Sequence, residues 1–260
     1  MLSASDMPVP NHSDHSSMVL LLPSWQFIDN VTPANTSELI TRFVNPSPTN
    51  NTLFPTRTAS TQTPPSLPEE QSPPTIATAP SLQARPCPHK YLILMCSQKT
   101  RDARCGQSAP LLRREFERIL RPMGLYRDLH DERPGGVGIY FISHVGGHKF
   151  SANVMVYRHS SVIQQATQAS GRANGGAHGA EASLQKLKIQ DESGQEVLLD
   201  ANKEQEADGN GEAAQCIWLA RVRPEDCENI VRYTVLQGKV VKPDRQLRGG
   251  FDRCKQLASW

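Results

Sequence analysis

Two pairs of side chains carry most of the chemistry this sequence offers. Cys96 and Cys105 stand in "CSQKTRDARC", a C-x8-C spacing, and His144 and His148 stand in "ISHVGGHKF". Thiolate and imidazole ligands hold zinc, copper and iron, and two of each make a complete four-ligand set for one metal site. Two histidines four apart ordinarily share a helix face. Gly146 and Gly147 between them disfavour a helix and favour a turn. Glycines let backbone approach a bulky group closely, which a cluster with bridging sulfides requires, and amide N–H groups of such a turn can donate to its sulfurs. Taken singly, each element has a plainer explanation: surface-loop histidines, a buried strand cysteine, an ordinary glycine turn.

Strands must bring these residues together. "KYLILMC" (90–96) reads as a buried strand ending on Cys96, and "GVGIYFIS" (136–143) as a second strand ending just before His144. If the two are parallel neighbours, all four side chains converge on one edge of a sheet. "APLLRREFERILRPM" (109–123) has helical spacing, with Leu112, Phe116, Ile119 and Leu120 on one stripe, Pro110 in the first turn and Gly124 as the stop. "ANVMVYR" (152–158) and "CIWLARV" (216–222) read as further strands. "RPEDCENIVRYTVLQGK" (223–239) reads as a helix opened by Pro224, with Glu225 and Asp226 at its positive end and Gly238 closing it. The expected class is α/β, an α+β sandwich.

Composition divides the chain. Residues 1–44 hold a short strand broken at Pro23 and a short helix, "TSELITRFV", capped by Thr36 or Ser37, with Leu39, Ile40 and Phe43 on one face. Residues 45–87 are rich in Pro, Ser and Thr and read as a disordered linker, because little apolar surface is there to offset chain entropy. Residues 88–260 read as the folded domain, with a disordered insertion at about 160–214. Net charge is +2, which provides no field for nucleic acid or an anionic membrane. No run approaches the roughly 20 apolar residues of a membrane span, and no secretory or mitochondrial leader is expected. The 6 cysteines are scattered without a C-x-x-C pair, which fits reduced thiols in the cytoplasm, with the mitochondrion as the alternative. Cys216 and Cys227 read as packing residues, and Cys87 as part of the linker. "RPGGVG" (133–138) lacks phosphate-loop spacing and reads as a turn before a strand.

The stretches "CSQKTRDARCGQSAP", "SHVGGHKFSANVMVY", "IWLARVRPEDCENIVRYTVLQGKVV" and "LRGG" together resemble the sucrase/ferredoxin-like family. The resemblance covers about residues 88–158 and 216–251, and residues 18–44 are similar to the tail of the family's N-terminal half. It implies a thioredoxin-like ferredoxin domain binding a [2Fe–2S] cluster through two cysteines and two histidines. Matched to this sequence, the ligands are Cys96, Cys105, His144 and His148. It also implies an electron carrier rather than an enzyme, since the family supplies no carboxylate pair for glycoside hydrolysis despite the word sucrase. Two neutral imidazoles in place of thiolates raise a cluster's reduction potential, as in Rieske centres, and can couple electron to proton transfer. The expected partners are redox proteins not identified by the sequence. Arg101, Arg104 and Lys149 flank the ligands, either to dock such a partner or as ordinary solvated charges. The alternative reading is a binding module with a structural Cys2His2 zinc site. Trp260 ends the chain in "KQLASW" and resembles the C-terminal aromatic signal read by the cytosolic iron–sulfur assembly machinery, although Ala258 stands where an aliphatic residue is usual.

Overall fold

The computed structural model describes residues 2–8, 16–52, 81–143, 145, 149–163 and 211–259. In chain order the elements are β1 (Ser17–Leu21), β2 (Gln26–Val31), α1 (Thr36–Leu39), β3 (Gln83–Pro86), β4 (Tyr91–Cys96), α2 (Ala103–Leu120), β5 (Tyr126–Arg127), β6 (Val137–Ile142), β7 (Val154–His159), β8 (Ala213–Leu219), α3 (Cys227–Asn229), α4 (Pro243–Gln246), β9 (Leu247–Asp252) and β10 (Leu257–Ser259). Among the described residues no helix is long and apolar enough to cross a membrane.

A seven-stranded sheet in the order β10-β9-β8-β7-β4-β6-β5 forms the centre. β4 and β6 are parallel neighbours, with Cys96 opposite Ile142. β4 pairs antiparallel with β7, and β7 with β8. β4–α2–β6 is thus a crossover unit, followed by the β7–β8 ladder and a second helical segment. A central strand covered on both faces needs apolar residues at every position, and β4 supplies them. Ile93 and Met95 pack under Leu112, Phe116 and Leu120 of α2 and under Ile230, Val231 and Val235. Leu92, Leu94 and Cys96 face the other way, against Trp25 and Phe27. Helices on one face and a small second sheet on the other make the α+β sandwich.

Helix α2 begins earlier than its sequence suggests. Pro110 points to a start near residue 109, but the helix opens at Ala103, where the Asp102 carboxylate accepts from the Arg104 amide at 2.9 Å. The buried stripe therefore starts at Cys105 and continues through Ala109, Leu112, Phe116 and Leu120. Pro110 sits inside the helix on its exposed side, where the hydrogen bond its ring removes can be made to water instead.

The segment expected as one helix over 223–239 is a composite. A 3-10 turn at Pro224–Asp226 leads into α3, and Ile230–Val235 continues with wider π-type spacing. Gly238 closes it at φ +69°. Its last carbonyls are received by a buried side chain from the sheet. Arg158 of β7 donates from Nε to Val235 O at 2.9 Å and from Nη2 to Leu236 O at 3.0 Å. β8 lies three residues upstream of the 216–222 expectation, because Arg221 adopts φ +58° and leaves the strand.

The N-terminal residues pack on this sheet. β1 and β2 form an antiparallel hairpin, and β3 adds to its free side. Gln83–Pro86 and Cys87 therefore depart from the linker reading of 45–87. Arg85 pairs with Asp29 at 2.8 Å, and buried Cys87 donates its amide to Trp25 O at 2.9 Å. The Trp25 indole donates to His89 O at 2.8 Å. The α1 region starts at Pro33 rather than at Thr36 or Ser37, with the Asn35 side chain accepting from the Thr32 amide at 2.8 Å. Leu39 and Phe43 pack inward, whereas Ile40 is exposed. Of the insertion read at 160–214, residues 160–163 form a helical turn and Ala213 and Ala214 begin β8. The segment 164–210 lies outside the described residues.

Candidate metal centre

Cys96 is the last residue of β4 and Cys105 the third of α2. The loop between them folds back so that both thiols are buried in one cluster, at 1% and 0% exposure, and hydrogen-bond to each other. Two features of the loop achieve this. The Asp102 cap starts the helix immediately before Cys105. Gly106 provides the space: a Cβ there would lie 2.7 Å from Lys99 Cβ and 2.9 Å from Lys99 Cα, so the loop rests on the first turn only because glycine is present. Gly106 is the glycine of the Arg-Cys-Gly step in the sequence signature, which does not by itself reveal this packing role.

β6 runs beside β4 to the same edge. The Cys96 thiol donates to Ser143 O at 3.8 Å, and the Ser97 amide to Ile142 O at 2.9 Å. Val145, 2% exposed, packs in the same cluster as the two cysteines. His144, Gly146, Gly147 and His148 lie outside the described residues, as does Trp260. Among the described residues no three His, Cys, Asp or Glu side chains gather into a metal-binding group. The end of β6 is held from its other side by residues 4–6. Ser143 donates its amide to Ala4 O at 2.8 Å. The Asp6 carboxylate accepts from the Phe141 amide at 2.8 Å and from Arg113 at 2.7 Å.

Burial pushes the Cys96 thiol up to about 11, with the neighbouring Cys105 adding to the effect. Without a metal, Cys96 is therefore protonated at neutral pH, and a metal ion taking it as thiolate must displace that proton. Cys105 stands in the first turn of an 18-residue helix, its amide donating to Asp102 O at 3.0 Å. The chemistry of this donor pair suits a soft metal: two adjoining thiols, shielded from water, with a helix start beside them. The remaining buried cysteines serve packing. Burial raises Cys87, Cys216 and Cys227 to about 12. A cavity of about 410 Å³ lies elsewhere, walled by Phe27, Arg85, His89 and Tyr140, and neither Cys96 nor Cys105 lines it.

Of the flanking cations, Arg104 is neutralised by Asp102, at 3.0 Å. Arg101 and Lys149 are exposed.

A family model described as sucrase/ferredoxin-like matches residues 1–249. The chain is similar to actin patches distal protein 1 of Saccharomyces cerevisiae, 52% identical over 68 residues, which cover 26% of this chain and 22% of that protein. It is also similar to altered inheritance of mitochondria protein 32 of Clavispora lusitaniae, 27% identical over 154 residues, covering 59% of this chain and 33% of that protein. The protein of that name from Debaryomyces hansenii is 40% identical over 68 residues, 26% of this chain and 21% of its own length. The matched segments thus span a third or less of these relatives. No solved structure matches the chain.

Proposed function

The chain belongs to the sucrase/ferredoxin-like family, and on that premise we propose that it is an electron-transfer protein holding a [2Fe–2S] cluster through Cys96, Cys105, His144 and His148. The observation that carries this reading is the meeting of Cys96 and Cys105 at the sheet edge where the parallel strand β6 ends, one residue short of His144. When bound, such a cluster supplies one-electron exchange at a potential raised by its imidazole ligands. The chain's own residues supply the surroundings. The cysteines present thiolates on loss of their protons. Leu94, Ile142 and Val145 keep water from the thiols. The bond from Ser143 to Ala4 and the Asp6 carboxylate fix the strand end that precedes His144 in the sequence. The histidines offer neutral nitrogen to the metal, and their second nitrogens carry or release a proton to solvent. We propose no enzymatic turnover. A cytoplasmic site and client recognition by the cytosolic iron–sulfur assembly machinery through Trp260 belong to the same proposal.

Elemental analysis of anaerobically purified full chain tests it. Iron and acid-labile sulfide in equal amounts are expected. Zinc without sulfide would replace this reading with a structural Cys2His2 site. Within the proposal, His148→Cys is expected to keep the cluster while lowering its reduction potential and flattening the dependence of that potential on pH, measured by protein-film voltammetry. An unchanged potential would remove His148 from the ligand set.

A further inference from the structure

We infer that the sheet edge carrying Cys96 and Cys105 is a docking surface for an acidic partner protein, gripped by Lys149, Arg221 and Arg248; the partner's role as electron donor or acceptor rests on the reading above. The topology brings these cations to that edge. β7 is antiparallel to β4, and the Cys96 amide donates to Asn153 O at 3.2 Å, so residues 149–153 lie beside the cysteine. β8 ends at the same level, with the Arg221 amide donating to Ser151 O at 2.9 Å. β9 starts there, Leu247 opposite Leu219, and Arg248 follows.

The three side chains converge on one ring. Arg221 and Arg248 lie over Phe150 with Cζ 4.0 and 3.9 Å from its centroid, and Lys149 Nζ is 5.6 Å away. No carboxylate among the described residues forms an ion pair with any of them. Elsewhere Arg104, Arg113, Arg118, Arg133 and Arg253 each have one. The chain carries only +2 overall, so this is a local concentration of positive charge at the end of the sheet where β4 carries Cys96. Arg248 Nε is covered and has no acceptor. Arg221 adopts φ +58°, a conformation that a long side chain takes only when its surroundings impose it. The Asn153 side chain donates to Phe150 O at 2.6 Å and fixes the ring's backbone.

Like charges gathered with no carboxylate partner among the described residues repel each other, and stacking on an aromatic face offsets part of that repulsion. Such an arrangement is pre-organised for an anionic surface, with the arginine-and-aromatic composition of interface hot spots. Leu247, 38% exposed beside them, offers an apolar contact. A protein fits better than nucleic acid, because the guanidinium groups occupy the ring that a base would stack on. It fits better than a membrane, because one half-exposed leucine is a small wedge.

The test uses the full chain, wild type and the double variant R221Q/R248Q, with poly-L-glutamate as probe in a fluorescence anisotropy titration. Pyrophosphate and phosphatidylserine vesicles are run in parallel. Poly-L-glutamate binding is expected to weaken about tenfold or more in the double variant, and again between 50 and 200 mM salt, with thermal stability and visible spectrum unchanged. In the same variant, oxidation of the reduced protein by ferricyanide should slow several-fold and oxidation by hexaammineruthenium(III) should quicken. Equal binding by both proteins, or tighter binding of pyrophosphate or vesicles than of poly-L-glutamate, would overturn the acidic-protein surface. Iron-free protein that still binds poly-L-glutamate through the two arginines would keep the surface and sink the electron-transfer reading.

Discussion

Replacing Cys105 with serine is expected to reduce bound iron and sulfide to less than about a tenth of the wild-type content. The thiol is fully buried, in the first turn of α2 and hydrogen-bonded to Cys96. A serine hydroxyl fills nearly the same space but is a hard, weakly acidic ligand where a soft thiolate is needed. Cys96→Ser should do the same. The informative control is Cys227→Ala, which empties an equally buried site next to α2. That variant should lose about 1–2 kcal/mol of stability and keep its full iron and sulfide. Metal analysis beside a denaturant titration of the three variants separates loss of a ligand from loss of the fold. Full colour in Cys105→Ser would remove it from the site.

Arg158→Ala is expected to cost about 3–5 kcal/mol of stability, the largest effect of any single side-chain truncation considered. Arg158 is 5% exposed near the end of β7. Its guanidinium serves Val235 O, Leu236 O and the Gln215 amide oxygen at 2.8–3.0 Å. Two of those acceptors are carbonyls at the negative end of the helical segment, which have no partner within the helix. Truncation leaves three acceptors short of a donor around the resulting hole. Gly238 packs against the same group, since a Cβ there would lie 2.3 Å from Arg158 Nη1. Arg158→Lys keeps the charge but loses the planar fork, and should recover about half the loss. Guanidinium chloride unfolding of the three proteins measures both differences, and a loss below about 1 kcal/mol for Arg158→Ala would contradict the capping role. Domains of this size have about 5–15 kcal/mol in total, so the alanine variant should also yield less folded protein.

The centre of the fold was readable because its rules are local. "YLILMC" is apolar at every position, as a strand buried on both faces must be. The stripe of α2 and the Pro224 and Gly238 boundaries lie within short windows. The misreadings have particular causes. Pro110 is a strong helix-start signal, whereas the true start is set by the Asp102 cap, which the sequence reading did not include. As a result Cys105 read as a loop residue when it belongs to the helix. Gln83–Pro86 looked like linker because nothing within the segment shows that β2 offers it a free edge and Asp29 a partner for Arg85. Arg158 reads as an ordinary polar position in an alternating strand, and only the tertiary fold brings it to the helix end.

The candidate site was legible in a different way. Parallel pairing of β4 with β6 was a condition of the sequence argument, and the structure meets it. Convergence of Cys96 and Cys105 belongs to the same strand-end argument, and the two thiols lie in one buried cluster. The flanking charges were only half readable. Arg104, grouped with Lys149 because both flank the ligands in sequence, is exposed and paired with Asp102. Lys149 is joined by Arg221 and Arg248, each separated from it by tens of residues and brought close by the β7–β8–β9 ladder.

The most direct test of the central claim is pulsed electron paramagnetic resonance of the reduced full chain. A [2Fe–2S] signal with strong nitrogen couplings from two imidazoles is expected, and one of the two couplings should disappear in His148→Cys. A signal without nitrogen coupling, or a protein that holds zinc and gives no signal after reduction, would contradict it.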